Sequence, residues 1–368
     1  MSMRPDTDNY FELFINDVPL MDVRAPVEFD KGAFPSAANI PLLDDSQRQQ
    51  IGIRYKNAGE QEAVELGLQL ATPEIRAQRI KAWKEFCRQN PQGYLYCFRG
   101  GLRSRTTQSW IREQGMDFPL IKGGYKAMRR YLIDELETSV DTVPLVIVSG
   151  LTGSGKTRVL LQISHHIDFE GIASHRGSAF GRNASDAQPS VIDWENRVSI
   201  EFLKHRYRYP GKPVFVEDES RRIGRICMPE YLYQKMQVAP RAILEVDINE
   251  RIQLISEDYI LDAWPQYQVT HGDNAEIEFR RFVLENLKRI QRRLGGEKYK
   301  AVNQCFEFAL KEFFASNSIA EFHDGIKILL TDYYDPMYRY QLASKSAPII
   351  FEGPEHEYLE WAEAHLST

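Results

Sequence analysis

The residues with the clearest chemical potential form a glycine-rich loop that ends in lysine and threonine. Residues 150–157 read Gly-Leu-Thr-Gly-Ser-Gly-Lys-Thr and satisfy the GxxxxGK[ST] spacing of a phosphate-binding loop, here called the P-loop motif. Its glycines let backbone N–H groups converge on phosphate oxygens, and the following helix adds the positive end of its dipole. The residues predicted to bind a diphosphate are Gly150, Gly153, Ser154, Gly155, Lys156 and Thr157.

An acidic partner for a metal ion is expected where a neighbouring strand ends. The apolar run at 214–216 is followed directly by Glu217 and Asp218. Thr157 supplies a hydroxyl of the kind that ligates magnesium beside a diphosphate. Mg²⁺ is therefore a candidate cofactor, held through either Glu217 or Asp218, and the sequence leaves the choice between the two carboxylates open.

A second chemical centre is predicted around Cys97, which lies between a strand candidate and a helix candidate. The loop amides, the helix dipole and two nearby guanidinium groups favour the thiolate, so Cys97 is predicted to be a nucleophile. The same loop would hold an anionic donor group against the sulfur. The catalytic candidates are Cys97, Arg99 and Arg103, and the donor-loop candidates are Gly100, Gly101 and Ser104.

The composition argues against several other functions. The four cysteines are scattered without CxxC spacing, which argues against a disulfide framework and a structural zinc site. The net charge of -6 means that any binding of RNA must use local basic patches. No apolar run approaches the length of a membrane span, so a cytoplasmic location is expected.

Parallel strands covered by helices must position both loops, and the fold class is predicted to be α/β. A polar segment at 137–143 places the boundary between a domain at 1–138 and a P-loop NTPase-like domain at 139–368. In the second domain, strands are predicted at 144–149, 214–216 and 242–246. A stripe of apolar residues from 277 to 294 predicts that its C-terminal part is helical.

Short motifs in the first third of the chain resemble the rhodanese family. They are Asp-Val-Arg at 22–24, Phe-Pro-Ser-Ala at 34–37, Asn-Ile-Pro at 39–41, the Cys97 loop and Gly-Gly-Tyr at 123–125. The resemblance implies a rhodanese-like N-terminal domain in which Cys97 carries a chalcogen. Five residues separate Cys97 from Arg103, whereas sulfur-transferring rhodaneses usually have four. The longer loop resembles that of phosphatases and arsenate reductases and suits a tetrahedral donor such as selenophosphate.

The order of these two domains resembles the tRNA 2-selenouridine synthase family over essentially the full length. Further matching stretches lie at 175–181 and 333–338. The resemblance implies a transferase that converts wobble 2-thiouridine of tRNA to 2-selenouridine through an S-geranyl intermediate. Geranyl diphosphate and selenophosphate would be its co-substrates, and a selenophosphate synthetase is a candidate partner.

Substrate contacts are predicted at basic and aromatic positions. The candidates for contact with the diphosphate or the RNA are His175, Arg176, Gly177, Arg221 and Arg222. Phe180, Trp194 and Trp264 are candidates for an apolar slot for the geranyl chain, although ordinary core packing is the favoured interpretation.

Other functions are compatible with the same residues. The P-loop motif also suits a kinase or NTPase in which the rhodanese-like module only regulates. The five-residue spacing after Cys97 also suits a phosphatase. A non-catalytic RNA-binding scaffold is the interpretation that the setting of Cys97 favours least.

Overall fold

The computed structural model describes residues 4–175, 188–343 and 345–367. The chain divides into two compact units: Met1–Ser139 with Ser190–Lys204, and Val140–Pro189 with His205–Thr368. The division predicted from the sequence placed residues 190–204 in the second domain, whereas in the structure they pack with the first unit. Among the helices described, none has the length and apolar character needed to cross a membrane.

The elements of the described residues are numbered along the chain. The strands are β1 Leu20–Asp22, β2 Ala37–Asn39, β3 Tyr94–Tyr96, β4 Leu145–Gly150, β5 Val214–Glu217, β6 Arg222–Ile223, β7 Ile226–Cys227, β8 Arg241–Leu244 and β9 Ile349–Gly353. The helices up to the P-loop motif are α1 Tyr10–Ile15, α2 Pro26–Phe29, α3 Asp45–Ala58, α4 Glu60–Leu70, α5 Pro73–Gln89, α6 Leu102–Arg112 and α7 Gly124–Thr142. The later helices are α8 Lys156–Leu160, α9 Phe169–Ile172, α10 Val191–Arg208, α11 Glu230–Val238, α12 Ile248–Ser256, α13 Trp264–His271, α14 Ala275–Leu294, α15 Gly296–Ser316, α16 His323–Leu329, α17 Asp335–Ala343 and α18 Glu355–Ser367.

The first unit is built on a parallel sheet with strand order β2-β1-β3. Successive side chains of a strand point to opposite faces. Met21 and Leu95 accordingly enter one hydrophobic cluster, while Leu20 and Tyr96 enter another. Both faces of the sheet are therefore covered, as is usual for parallel strands.

The predicted boundary segment at 137–143 is not a linker. Helix α7 continues to Thr142, and Ser139 and Val140 on it are buried. The buried positions of the segment are Ser139, Val140 and Val143, and only two of them are apolar, which is too few to predict a helix from their spacing. The polar composition therefore indicated a loop where the chain is helical.

A buried ion pair holds the end of β1. Arg24 and Asp22 are 1% and 0% exposed, and two guanidinium nitrogens of Arg24 donate to Asp22 Oδ2 at 2.8 and 2.6 Å. Arg24 also donates to the carbonyl of Gly32, and its guanidinium carbon lies 3.9 Å from the ring centroid of Tyr125. The Asp-Val-Arg motif is therefore a structural element of the core in this unit.

The second unit contains a parallel sheet with strand order β5-β4-β8-β9. All six residues of the inner strand β4 are buried. The strands predicted at 144–149, 214–216 and 242–246 are confirmed with shifts of one or two residues at their ends. Strand β9 was not predicted, because its exposed residues lack the pattern of a covered strand.

Helices α12 to α17, here called the helical part, surround a separate hydrophobic core. The stripe predicted along α14 faces this core and is confirmed. Its members Phe279, Val283, Leu287, Ile290 and Leu294 are each 6% exposed or less.

Replacement of Asp22 should test the structural role of its ion pair. Asp22→Asn leaves the buried guanidinium of Arg24 without a counter-ion, and should lower the free energy of unfolding of the first unit by about 3–5 kcal/mol. Urea denaturation followed by circular dichroism measures the change. As a control, Asp134→Asn removes the solvent-screened surface pair with Arg130 and should leave the free energy of unfolding nearly unchanged. Equal losses in the two variants would contradict the assigned role.

Candidate functional site

The P-loop motif connects the end of β4 to the start of α8. Gly153 and Gly155 have φ values of +78° and +75°, which favour glycine. A Cβ at Gly153 would also lie 2.4 Å from Cδ1 of Ile255. The loop therefore requires glycine at both positions, for backbone conformation at each and for space at Gly153.

The polar side chains of the motif face the loop itself. Lys156 Nζ donates to the carbonyls of Gly150 and Leu151 at 3.0 and 3.3 Å. Ser154 is 3% exposed, and its hydroxyl has no hydrogen-bond partner in the described ranges. A bound anion could therefore take bonds from both side chains, because neither one is committed to another charged group.

The structure distinguishes the two carboxylates at the end of β5. Thr157 Oγ1 donates to Glu217 Oε1 at 2.5 Å, so Glu217 faces the P-loop motif. Asp218 faces away from it, as expected for the next residue of a strand. It accepts hydrogen bonds from Ser149 at 2.9 Å and Lys345 at 2.8 Å. Glu217 is thus the acid placed beside the loop.

Two further carboxylates that the sequence reasoning missed lie beside Glu217. One ligand oxygen from each of Glu170, Glu217 and Glu219 lies within 4.8 Å of the others, and this set is here called the carboxylate cluster. Glu217 is 2% exposed, and its Oε2 has no hydrogen-bond partner among the residues described. Burial, together with the charge of Glu170, raises the pKa of Glu217 to about 8, and burial raises that of Glu219 to about 7. Crowded, desolvated carboxylates with an unpaired oxygen are a chemically suitable site for a divalent cation.

The helical part holds the P-loop motif at two points. Arg251 on α12 donates from Nε to the carbonyl of Thr152 at 2.9 Å. Its two terminal nitrogens pair with Asp335 at 3.0 and 2.5 Å, and both side chains are buried. The hydroxyl of Tyr338 accepts the N–H of Gly150 at 2.9 Å. Sequence reasoning did not assign these roles, although Asp335 and Tyr338 belong to the stretch at 333–338 that it singled out.

Cys97 lies between β3 and α6 and is 3% exposed. The side chain that contacts its sulfur is Ser104, whose hydroxyl donates to Sγ at 2.8 Å. Ser104 is fully buried on the inner face of α6. The residues from Cys97 to Ser104 are here called the cysteine loop, and the Ser104 hydroxyl is the hydrogen-bond donor that the structure provides to the thiol.

The two arginines of the cysteine loop differ from the expectation that both act on the thiol. Arg103 forms a two-point ion pair with Glu28, with distances of 2.5 and 3.2 Å. Burial alone would raise the pKa of Glu28, but the hydrogen bond and charge of Arg103 lower it. Arg99 is exposed, and its guanidinium carbon lies 5.9 Å from the ring centroid of Phe98. The charge of Arg103 is therefore directed at a carboxylate, which the sequence could not show.

The start of α7 supports the cysteine loop from behind. The N–H of Tyr125 donates to the carbonyl of Cys97 at 2.9 Å, and Lys126 donates in the same way to Phe98. A Cβ at Gly124 would lie 2.3 Å from the carbonyl oxygen of Cys97. The Gly-Gly-Tyr motif at 123–125 is thus explained by the close approach of two backbone segments. Gly100 itself has a φ of +66°.

The predicted substrate contacts occupy different surroundings. The backbone N–H of His175 donates to the carbonyl of Glu170, next to the carboxylate cluster. Arg221 is exposed and pairs with Glu230 at 2.7 Å, and Arg222 is exposed on β6. Arg176, Gly177 and Phe180 lie outside the described residues. A role for His175, Arg221 or Arg222 in substrate binding stays a prediction.

The described tryptophans named as candidates for a geranyl slot are core residues, as the favoured interpretation predicts. Trp194 belongs to the first unit and is fully buried. Trp264 belongs to the second unit and packs against Phe279 and Phe314 in the core of the helical part. Ordinary core packing, the favoured interpretation, therefore accounts for both side chains.

The fold and the two loops define a mixed α/β protein with a P-loop motif on one parallel sheet and a cysteine loop on another. A family model described as the tRNA 2-selenouridine synthase AAA domain matches residues 143–368. Curated relatives named tRNA 2-selenouridine synthase share 51% identity in Marinobacter nauticus, covering 100% of both chains, and 46% in Pseudomonas fluorescens, covering 97% of both. A relative of the same name from Alcanivorax borkumensis is 46% identical over 96% of this chain and 98% of its own. The chain therefore belongs to the tRNA 2-selenouridine synthase family, a family of tRNA-modifying enzymes.

Loss of the Asp335 charge should weaken anion binding at the P-loop motif. Asp335→Asn leaves Arg251 without its counter-ion and loosens its hold on Thr152, so the dissociation constant for inorganic pyrophosphate should rise about tenfold or more. Isothermal titration calorimetry measures this constant. The matched control is Asp332→Asn, which affects an exposed pair with Lys298 and a surface hydrogen bond from Thr331, and should leave binding unchanged. Unaltered pyrophosphate binding by a folded Asp335→Asn protein would refute the supporting role.

Protonation of the carboxylate cluster should make stability depend on pH. Without divalent cations, the folded chain keeps a proton on Glu217 up to about pH 8, whereas the unfolded chain releases it near the ordinary value of 4.5. The folded state thus binds more protons in this window, and the free energy of unfolding should fall as pH rises from about 5 to about 8. Glu217→Gln should flatten this slope in urea denaturation, whereas Glu230→Gln at an exposed pair should preserve it. A slope unaffected by Glu217→Gln would assign the titration to other groups.

Proposed function

We propose that this chain converts wobble 2-thiouridine of tRNA to 2-selenouridine through an S-geranyl-2-thiouridine intermediate. Geranyl diphosphate and selenophosphate are its proposed co-substrates. Family membership over the full length supports selenation of tRNA. One observation supports the geranyl intermediate and the two co-substrates. The chain contains a P-loop motif beside the carboxylate cluster and, separately, the cysteine loop.

In the first proposed step, the thiocarbonyl sulfur of the uridine attacks the first carbon of the geranyl chain. A carbon–sulfur bond forms, the carbon–oxygen bond to the diphosphate breaks, and the diphosphate leaves with the electron pair. Negative charge grows on the leaving group, so donors already aimed at its oxygens lower the barrier. The N–H groups of Gly153 and of residues 155–157, the hydroxyl of Ser154 and the ammonium group of Lys156 are proposed to supply these donors.

Glu170, Glu217 and Glu219 are the residues that would hold Mg²⁺ near this diphosphate. The unpaired, buried Oε2 of Glu217 supports that assignment. When bound, the ion supplies positive charge that neutralises the leaving group. Thr157 links the carboxylate cluster to the P-loop motif through its hydrogen bond to Glu217.

In the second proposed step, selenium replaces the geranylthio group at carbon 2 of the base. A carbon–selenium bond forms, the carbon–sulfur bond breaks, and geranylthiol leaves. Hydrolysis of the selenium–phosphorus bond of the donor releases phosphate. Cys97 is proposed to guide the selenium of the donor toward carbon 2 without bonding to it, so the selenium passes directly from phosphorus to carbon and no oxidant is needed. Ser104 orients the sulfur of Cys97, and the N–H groups at the start of α6 are available for the anionic donor. Alkylation is useful because it converts sulfur into a better leaving group.

Replacement of Cys97 should separate the two steps. Cys97→Ser removes the proposed selenium-handling group, so the protein should still make S-geranyl-2-thiouridine but no 2-selenouridine. Mass spectrometry of a thiouridine-containing anticodon stem-loop, incubated with geranyl diphosphate and then selenophosphate, identifies both products. The control is Cys87→Ala, because burial raises the pKa of Cys87 to about 12 and leaves it protonated at neutral pH. Full selenouridine formation by Cys97→Ser would exclude the assigned role.

Replacement of Lys156 should impair the other step. Lys156→Ala removes a cation from the leaving group, and the rate of geranylation should fall about 10²–10³-fold. Selenation of a stem-loop that is already geranylated should continue at the rate of the unmodified protein. The exposed Lys300→Ala is the matched control. Normal geranylation by the Lys156→Ala protein would show that the diphosphate binds somewhere other than the P-loop motif.

A further inference from the structure

An apolar cavity lies inside the helical part and reaches the P-loop motif. The space between its walls amounts to about 560 Å³ when the solvent at its open mouth is included. Residues from four different helices and from the motif line it, among them Thr152, Ile255, Val283, Phe306, Ile326 and Leu329. None of its lining residues carries a charged side chain.

The cavity and the P-loop motif share part of their walls. Thr152 belongs to the motif and also lines the cavity. Ile255 packs so closely on the backbone of Gly153 that a Cβ there would lie 2.4 Å from its Cδ1, and Ile255 lines the cavity as well. A molecule held by the loop can therefore extend into apolar space without crossing another layer of the protein.

Two irregular helical segments face this same cavity. Glu257–Leu261 and Leu330–Tyr334 are π-helical, and each contributes two lining residues: Tyr259 and Ile260 from the first, Leu330 and Tyr334 from the second. A π-helical turn is less stable than an α-helical one and occurs frequently at functional sites. Both segments line one cavity, an arrangement typical of functional sites.

The chemistry of the wall restricts what can occupy the cavity. The ribose and base of a nucleotide carry polar groups that would lose hydrogen bonds to water, and such a loss is costly in an apolar pocket. A hydrocarbon chain instead gains about 0.8 kcal/mol for each buried CH₂ group. The proposed function places a diphosphate at the neighbouring loop, so the combined site suits a diphosphate with a hydrocarbon chain.

We propose that this cavity binds the hydrocarbon chain of the allylic diphosphate and that its lining residues set the length of the chain accepted. The proposal rests on the proposed function, since it locates the substrate of the first step. The residues proposed to bind the chain adjoin the P-loop motif, whereas the candidates Trp194 and Trp264 are core residues.

Binding measurements test the pocket independently of catalysis. The probes are inorganic pyrophosphate and the non-reactive S-thiolodiphosphates of dimethylallyl, geranyl and farnesyl alcohols, titrated into the full chain by calorimetry. The geranyl analogue should bind the unmodified protein about a hundredfold or more tightly than pyrophosphate. Equal affinities for these two ligands would overturn the proposal.

Substitutions that change the cavity should change the preferred chain length. Val283→Phe fills it and should weaken geranyl binding about tenfold or more, while pyrophosphate and dimethylallyl binding stay within about twofold. Leu329→Ala enlarges it and should improve binding of the farnesyl analogue, a gain that misfolding cannot produce. The matched control is Val269→Phe, because Val269 is 88% exposed on α13 and should have no effect.

Two results would distinguish the pocket from the proposed function. If the chain analogues bind and respond to Val283→Phe but no geranyl group reaches RNA, the pocket stands and the proposed reaction fails. If geranyl transfer occurs but Val283→Phe and Leu329→Ala leave chain-length preference unchanged, the pocket is wrong. In that case Ala63→Phe would test the apolar groove beside the cysteine loop, which Ala63 and Leu102 line.

Discussion

The buried ion pair between Arg251 and Asp335 is the interaction on which the second unit depends. Arg251 divides its donors between a carboxylate and the carbonyl of Thr152, so burial leaves neither charge without a partner. Burying one of these charges alone would be strongly unfavourable, which fixes α12 and α17 together at the P-loop motif. Helix α12 continues into the π-helical segment Glu257–Leu261, and α17 begins where the π-helical segment Leu330–Tyr334 ends. Because both segments line the apolar cavity, the same ion pair also positions the walls of that cavity.

Charge is distributed differently at the two chemical centres. In the carboxylate cluster, burial and like charges work against ionisation, so the site favours either protons or a cation. Around the cysteine loop, Arg103 forms an ion pair with Glu28, and the sulfur of Cys97 accepts a hydrogen bond from the neutral hydroxyl of Ser104. An anionic donor that approached Cys97 would compete with Glu28 for Arg103. In the proposed function, the first centre would hold a divalent cation beside a diphosphate, and the donor at the second centre would have to displace an existing ion pair.

Close packing between distant segments explains why glycine is required at two separate points of the chain. Gly124 is required because the start of α7 approaches the carbonyl of Cys97 closely, and Gly153 is required because Ile255 covers it. In each case a residue from one segment shapes a loop in another. Both glycines are therefore required by the close packing around the two loops, and this packing fixes the positions of Cys97 and Lys156.

The sequence alone determined the local features of this protein. Spacing and apolar runs located the P-loop motif, the strands β4, β5 and β8 and the buried face of α14, because these depend on neighbours within one element. Tertiary structure decided the rest. It placed Glu217 rather than Asp218 beside Thr157, directed Arg103 to Glu28, and brought Glu170 and Glu219 to the same cluster. These outcomes depend on which distant segments meet and which face a side chain takes, and neither periodicity nor spacing contains that information.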